Sequence, residues 1–360
     1  MNTLQSKNQQ FENFNIKFNE NTVDHLFKNY EDIGFIYPAK KAFLAPHFKQ
    51  IKSNWEKLQN SDENLLWMLT TDPSVEKNFA SVSVWKQSNY GLIAQHLVSD
   101  GNPFLSLKVM LAAQFKAEHH FDDTQVRSSQ NWFRPDNRYA FRIFASMFEK
   151  LGNEKASLIK FEYLHQPLEK IQPTHQQKYS FHEVTKIDEE CISFVKNQYG
   201  NVFVKAEELD QEDIQLQKVA AHFKKYDLER SRKVLKIKDQ NTQQVIACII
   251  ANRGPIGLNF SFFENRAYYI LDKNLSKEQR AELVPFLNQA IKDYYLDFEF
   301  QKIPIATDQL TSEVLQNQGA SFFKTYMQSI WLREGFAQWY EHIQSFLQRI
   351  ESRLTRKKAA

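Results

Sequence analysis

Cysteine is nearly absent. Cys191 and Cys248 are the two in 360 residues, too few and too far apart in sequence to support a disulfide framework or a cysteine metal knuckle. A reducing compartment, the cytoplasm, is the expectation. Glycine is scarce too, with nine residues against 30 Phe and 14 Tyr, so aromatic-filled cores are expected and phosphate-cradling runs of bare backbone are not. No excess of one charge exists: 46 Lys and Arg against 43 Asp and Glu leave +3, far from the basic track that a phosphate backbone demands, which argues against nucleic acid as a partner. Long apolar runs are missing as well. Met1 to Glu12 is rich in Asn and Gln, without the apolar stretch of a leader, and no membrane partner is expected.

With 42% hydrophobic and 25% charged residues, the chain can bury substantial cores, and its length favours two domains. A faint internal echo says how they divide: the pattern around residues 65–164 recurs around 232–332, offset by roughly 165 positions. In the first copy the apolar run Leu65 to Thr70 leads to Ala80–Trp85, Gly91–Val98 and a helical stretch from Phe104 to Phe115. In the second, Val234–Ile237 leads to Val245–Ile250, Ala267–Leu271 and a helical stretch from Ala281 to Tyr294. Glycine closes a later helix in both, at Gly152 and Gly319.

Before the first copy, residues up to about Glu20 are polar, as chain ends often are, and Ala42–Pro46 opens a helical pattern with Phe48, Ile51, Trp55 and Leu58 on one face. Ser99-Asp100-Gly101-Asn102-Pro103 is a turn and helix-start signal. Pro167, Pro173 and several Gln mark residues 166–177 as a linker. Helices are expected from Glu183 to Asn197 and from Asp213 to Tyr226, and a hairpin turn at Lys238–Thr242. Phe336 to Arg356 closes the chain as an amphipathic helix with a basic tail and no counterpart in the first copy.

This order of helix, paired strands, third strand, helix, then strand, helix and strand resembles the GCN5-related N-acetyltransferases (GNAT). The likeness is clearest in Pro304–Thr307, the helix Thr311 to Gly319 and the strand Tyr326–Trp331, and in the helix Asn137 to Gly152 followed by the strand Ala156–Leu164. It implies an α/β (α+β) fold of two tandem GNAT-like domains, residues 20–168 and 178–335, each a mixed, mostly antiparallel sheet flanked by helices, followed by the C-terminal helix and tail, 336–360. It also implies acetyl-CoA or another acyl-CoA as donor and a small-molecule or peptide amine as acceptor. The departures are as telling. The family's Gln/Arg-x-x-Gly-x-Gly/Ala turn, which offers backbone N–H groups and a helix N-terminus to a pyrophosphate, is matched by one glycine in Ser99–Pro103 and by none in Asp272–Lys277. The family's tyrosine four residues before the helix-ending glycine is Phe148 in one copy and Leu315 in the other, which removes that proton donor.

Candidate residues follow. His96, on a strand of the first copy, is the candidate general base, since histidine titrates near neutrality; a hydrogen-bonded, half-core histidine is the structural alternative. Ser99, Gly101 and Asn102 are candidates for the donor's phosphates. Arg134 and Arg138, in the run Asn131 to Tyr139, can clamp a phosphate or carboxylate while Trp132 or Tyr139 stacks on a ring; the alternative has Asp136 capping a helix and the arginines in surface pairs. Glu118-His119-His120-Phe121-Asp122-Asp123 holds metal-type side chains at a spacing that favours a solvated helix end, so no metal is expected. Gly254 to Asn265 reads as a connection pinned over a core by its aromatics. Two functions remain open: an acyl-CoA-dependent N-acyltransferase, more plausibly served by the first copy, and a non-catalytic GNAT-fold module that senses a ligand or holds a protein.

Overall fold

The computed structural model describes residues 20–61, 65–71, 79–100, 103–119, 126–174 and 178–359. The first copy opens with helices α1 (Glu20–Asp32), α2 (Pro38–Leu44) and α3 (Phe48–Gln59), followed by strands β1 (Leu66–Thr70), β2 (Ala80–Lys86) and β3 (Gly91–Ser99). Helix α4 (Pro103–His119), strand β4 (Ser128–Phe133), helix α5 (Arg138–Leu151) and strand β5 (Ala156–Pro167) complete it. The second copy runs β6 (Tyr179–Glu183), α6 (Glu189–Tyr199), α7 (Asn201–Ala206), α8 (Gln217–Lys224), β7 (Ser231–Asp239), β8 (Val245–Arg253), β9 (Ala267–Leu271), α9 (Lys277–Lys292), β10 (Lys302–Thr307), α10 (Gln309–Asn317) and β11 (Ser321–Leu332). Helix α11 (Phe336–Ala359) ends the chain.

The expected mixed, mostly antiparallel sheet flanked by helices is present, and the two copies share it. Its 11 strands lie in the order β1-β2-β3-β4-β11-β5-β10-β9-β8-β7-β6. Each copy's last strand crosses into the other: β11 lies against β4, β5 lies against β10, and the two 12-residue strands pair antiparallel through Phe161 and Tyr326. The parallel pairs are β3 with β4 and β9 with β10. On β1 to β3 the two-residue period of a strand sends Leu66, Met68, Trp85 and Ile93 to the core under α1, α2 and α3. Trp67, Leu69, Val82, Val84 and Leu92 go to the core under α4, α5 and α11. In the second copy Val234, Cys248 and Ile250 pack under α6 and α7, while Leu235, Ile237 and Ile249 share a core with α9.

Local chemistry explains the boundaries. Ser276 caps α9 through a reciprocal box with Gln279, starting the helix before the expected Ala281. Gly152 and Gly319 take φ values of 76° and 95°, which terminate α5 and α10 at little cost only for glycine. Several elements differ from expectation. Helix α1 begins at Glu20, where its apolar face, Val23, Leu26, Phe27 and Tyr30, is hidden among polar residues. Tyr179–Glu183 is an edge strand against β7, so the helix expected from Glu183 starts at Glu189, with Asp188 as its cap. Asn131–Phe133 is strand, and Asn137 rather than Asp136 caps α5 by accepting from the Ala140 N–H. Gln166 and Pro167 of the expected linker belong to β5, while residues 175–177 lie outside the described residues.

Candidate functional site

Strands β3 and β4 pair over three positions, from Gly91–Ser128 to Ile93–Gln130, and then part. Among the described residues the β4-facing edge of β3 has no strand partner from Ala94 to Ser99. On its other edge β3 bulges against β2, because Ser83 pairs with Gln95 and Ser81 with Val98, leaving His96 and Leu97 opposite Val82 alone. His96 takes the left-handed conformation there, φ 51°. A cavity of about 330 Å³ fills the gap and reaches both sheet faces. On the α1–α2 face it is lined by Phe35, Tyr37, Lys40, Arg134 and Lys324; on the other, by Met110, Ala113, Phe144, Trp331 and Trp339. Trp339, from α11, stacks on Trp331 at 5.5 Å and 8° and closes the apolar end. The C-terminal helix thus returns to the first copy, packing on α4 and α5.

His96 lines this cavity, but its ring is held by neighbours. It stacks 4.2 Å from Phe260 and 5.6 Å from Trp55. Its Nε2 accepts from the Phe260 N–H at 3.4 Å, and its Nδ1 lies 3.1 Å from Ser83 Oγ. Since that hydroxyl donates to the Gln95 carbonyl, the pattern assigns the proton to Nδ1. Burial, with the charge of Lys40 added, pushes the imidazole well below its ordinary range. It is neutral at physiological pH, with both nitrogens engaged.

The remaining expected residues are spread along the site. Ser99 ends β3 and accepts from Ser106 Oγ at 2.8 Å; Ser106 also bonds Tyr139, so β3, α4 and α5 are tied together at the open end of the gap. Gly101 and Asn102 lie outside the described residues. Arg134, exposed on the turn after β4, lines the cavity and meets Asp136 at 3.5 Å. Arg138 is exposed in the first turn of α5 and does not line it. Tyr139 does, as does Trp132, whose ring also packs 4.6 Å from Phe263. Phe148 packs with the core under α4 and α5. His120, Asp122 and Asp123 lie outside the described residues, and among those described no three His, Cys, Asp or Glu side chains are placed to hold a metal.

Sequence reasoning missed one whole wall. The connection between β8 and β9 belongs to the second copy, yet it folds over the first copy's gap. Asn259 Nδ2 donates to Gln95 Oε1 at 2.8 Å, Gln95 Nε2 donates to the Leu258 carbonyl, and Trp55 Nε1 donates to the Gly257 carbonyl at 2.8 Å. Ser261 Oγ lies 2.9 Å from Tyr326 Oη, whose phenol burial pushes up to about 12. The carboxyl oxygens of Glu264 accept from the N–H groups of Gly257 and Asn259 and so fix the loop. The aromatics of Gly254–Asn265 signalled a packed connection; nothing in them signalled which half it packs on.

The equivalent gap in the second copy is filled. β9 and β10 pair at two positions, and Thr307 Oγ1 then donates across to the Tyr269 carbonyl at 2.9 Å. Tyr268 and Tyr269 of β9 are fully buried, one in the core on each face of the sheet. At the start of α9, Arg280 donates to the carbonyls of Asp272 and Leu275 and to the Asp308 carboxylate.

Unsatisfied polar atoms mark the open gap. Among the described residues, Asn131 Oδ1, Trp132 Nε1 and Trp339 Nε1 are buried on the cavity wall without a partner. With the free edge of β3, they suit an extended ligand carrying amide-like groups.

No family model matches the sequence, and no curated protein matches it. Solved structures are similar in part. A tandem GNAT protein of the clavulanic acid biosynthesis pathway aligns at 9% identity over 78% of this chain and 87% of its own, with a TM-score of 0.37. A Drosophila protein aligns at 11% identity over 89% and 98%, TM-score 0.42. A GCN5-related N-acetyltransferase from Sphaerobacter thermophilus aligns at 12% identity over 79% and 85%, TM-score 0.38.

Proposed function

We propose that the chain is an acyl-CoA-dependent N-acyltransferase that works with the gap of its first copy alone. The observation that carries this reading is the cavity running through the sheet where β3 leaves β4, set against the filled gap of the second copy. An acyl thioester lies along the free edge of β3, its amides meeting unpaired strand groups and its acyl part directed toward Trp331 and Trp339. The acceptor amine approaches from the α1–α2 face. Its nitrogen attacks the thioester carbonyl, the C–S bond breaks, and CoA leaves as a thiolate that takes up a proton. We assign Tyr326, one of several hydroxyls on the wall, to hydrogen-bond that sulfur.

His96 enters as a wall, and the neutral amine has another source. Lys40 is partly buried beside Lys324 and Arg134, and burial plus those charges brings its ammonium down to about 8. A substrate amine in the same field is pushed toward its neutral, nucleophilic form in the same way. Holding the two reactants in one gap supplies the rest.

Thermal shift and calorimetry with acetyl-CoA and octanoyl-CoA test the donor, and thiol release in the presence of amines tests transfer. Saturable stabilisation is expected, lost in Ala94→Phe, which fills the gap. Absence of binding by either thioester would sink the reading. A second reading, a non-catalytic sensor, is favoured by Phe148 in place of the family's tyrosine; it predicts binding with no thiol release for any amine.

A further inference from the structure

Among the described residues, the walls of the cavity include three cations, Lys40 on α2, Arg134 after β4 and Lys324 on β11, and no carboxylate. All three stand at the α1–α2 face. Among the described residues Lys40 and Lys324 have no acidic partner; Lys324 Nζ rests 2.8 Å from Tyr37 Oη and 5.1 Å from the centre of its ring. Arg134 meets Asp136 at 3.5 Å on an exposed turn, its one acidic partner among the described residues. Three like charges drawn to one partly dry opening from three separate elements repel one another. Packing does not require it, since three neutral side chains would line the same opening without that cost. Such arrangements are found where a ligand of opposite sign completes them.

We propose that this cationic end recognises an anionic group on the acceptor, so that the acceptor is an amine carrying a carboxylate or a phosphate. The inference rests on the acyltransfer reading for the word acceptor; the anion site itself does not. An amine without an anion would arrive as a cation at a cationic opening and be excluded. A zwitterion is held by its anion while the surrounding charge draws the proton from its nitrogen. Arg134 offers a planar fork for two oxygens, and the lysines offer point charges that suit either anion.

Calorimetry on the full chain with matched probes tests this: 4-aminobutyrate against 4-aminobutan-1-ol, and O-phosphoethanolamine against ethanolamine, each with and without acetyl-CoA. At least one anionic probe is expected to bind about tenfold or more tighter than its neutral match, with the two pairs telling carboxylate from phosphate. The preference is expected to vanish in the double variant Lys40→Met, Lys324→Met, while its acetyl-CoA affinity stays unchanged. Equal binding within both pairs, no binding of either anion, or a preference that survives the double variant overturns the proposal. Loss of acetyl-CoA affinity in the double variant also overturns it, by giving the cations to the donor's phosphates. Anion preference without any acetyl-CoA binding would uphold the anion site and sink the acyltransfer reading instead.

Discussion

Lys40 carries its charge under strain, and the strain has a sign. Its folded-state value of about 8 lies below the ordinary lysine range, so between that pH and about 10.4 the unfolded chain binds more protons and stability rises with pH. Below about 8 the penalty is fully present, which makes Lys40→Met stabilising at neutral pH; a melting temperature that falls instead would contradict this. Anion binding runs the other way: affinity falls as pH climbs through 8 and Lys40 loses its proton. Calorimetric titration across that range checks it, and a flat profile would be the contrary result. His96 makes a separate prediction. Because burial keeps its ring neutral, the pH–rate profile should show no inflection near 6.5, and His96→Asn, which tolerates the left-handed backbone, should retain thioester binding. An inflection there that His96→Asn removes would make His96 the base. None of this was legible in the sequence. That a histidine lay on a strand near the gap was readable, whereas its φ of 51° and its packing in a trio of rings with Trp55 and Phe260 depend on a bulge and on a loop about 160 residues away. Cys191 and Cys248 show the same limit. Far apart in sequence, they meet with sulfurs 3.5 Å apart as buried thiols.

Elements with strong periodicity were readable: Ala80–Lys86, Ala267–Leu271 and the helices ended by Gly152 and Gly319 stand close to where apolar spacing and glycine put them. Elements were lost where local signals conflict. In the run Asn131 to Tyr139, Pro135, Asp136 and Asn137 signal a helix start, which hides that Asn131–Phe133 end β4; its fully paired edge against β11 is a long-range fact. Helix α11 was recognised, but not its place as the floor of the first copy's cavity. Its hinge to function is Trp339, 1% exposed. Trp339→Ala should cost about 3–5 kcal/mol and enlarge the apolar end, shifting preference toward longer acyl groups. Denaturant titration and a series of acyl-CoA chain lengths measure the two effects. Full stability with unchanged chain preference would place α11 outside the site.

At the scale of the molecule, the repeat could be read but not the exchange that joins its copies, since a strand's neighbours are set by the whole sheet. Beside the swapped β5 and β11, a buried polar cluster locks the halves. Arg266 Nη2 donates to Gln87 Oε1 at 2.8 Å and to Glu207 at 3.2 Å, and Arg232 Nη2 donates to Glu207 at 2.9 Å, all with fully buried side chains. Burial alone would raise Glu207, but the charges of Arg266 and Arg232 outweigh it and hold the carboxyl below its usual range. Removing that charge leaves two guanidinium groups buried, so Glu207→Gln should cost about 3–5 kcal/mol. Scanning calorimetry should show one cooperative transition, lowered as a whole in that variant. Two separate transitions would mean that the halves unfold independently.

The central claim is that one gap of the two accepts an acyl thioester, and titration calorimetry with octanoyl-CoA tests it most directly. One site per chain is predicted, abolished by Ala94→Phe in β3 and retained in Thr307→Val, which alters only the filled second gap. Two sites per chain, or binding that persists in Ala94→Phe with the melting temperature unchanged, would contradict it.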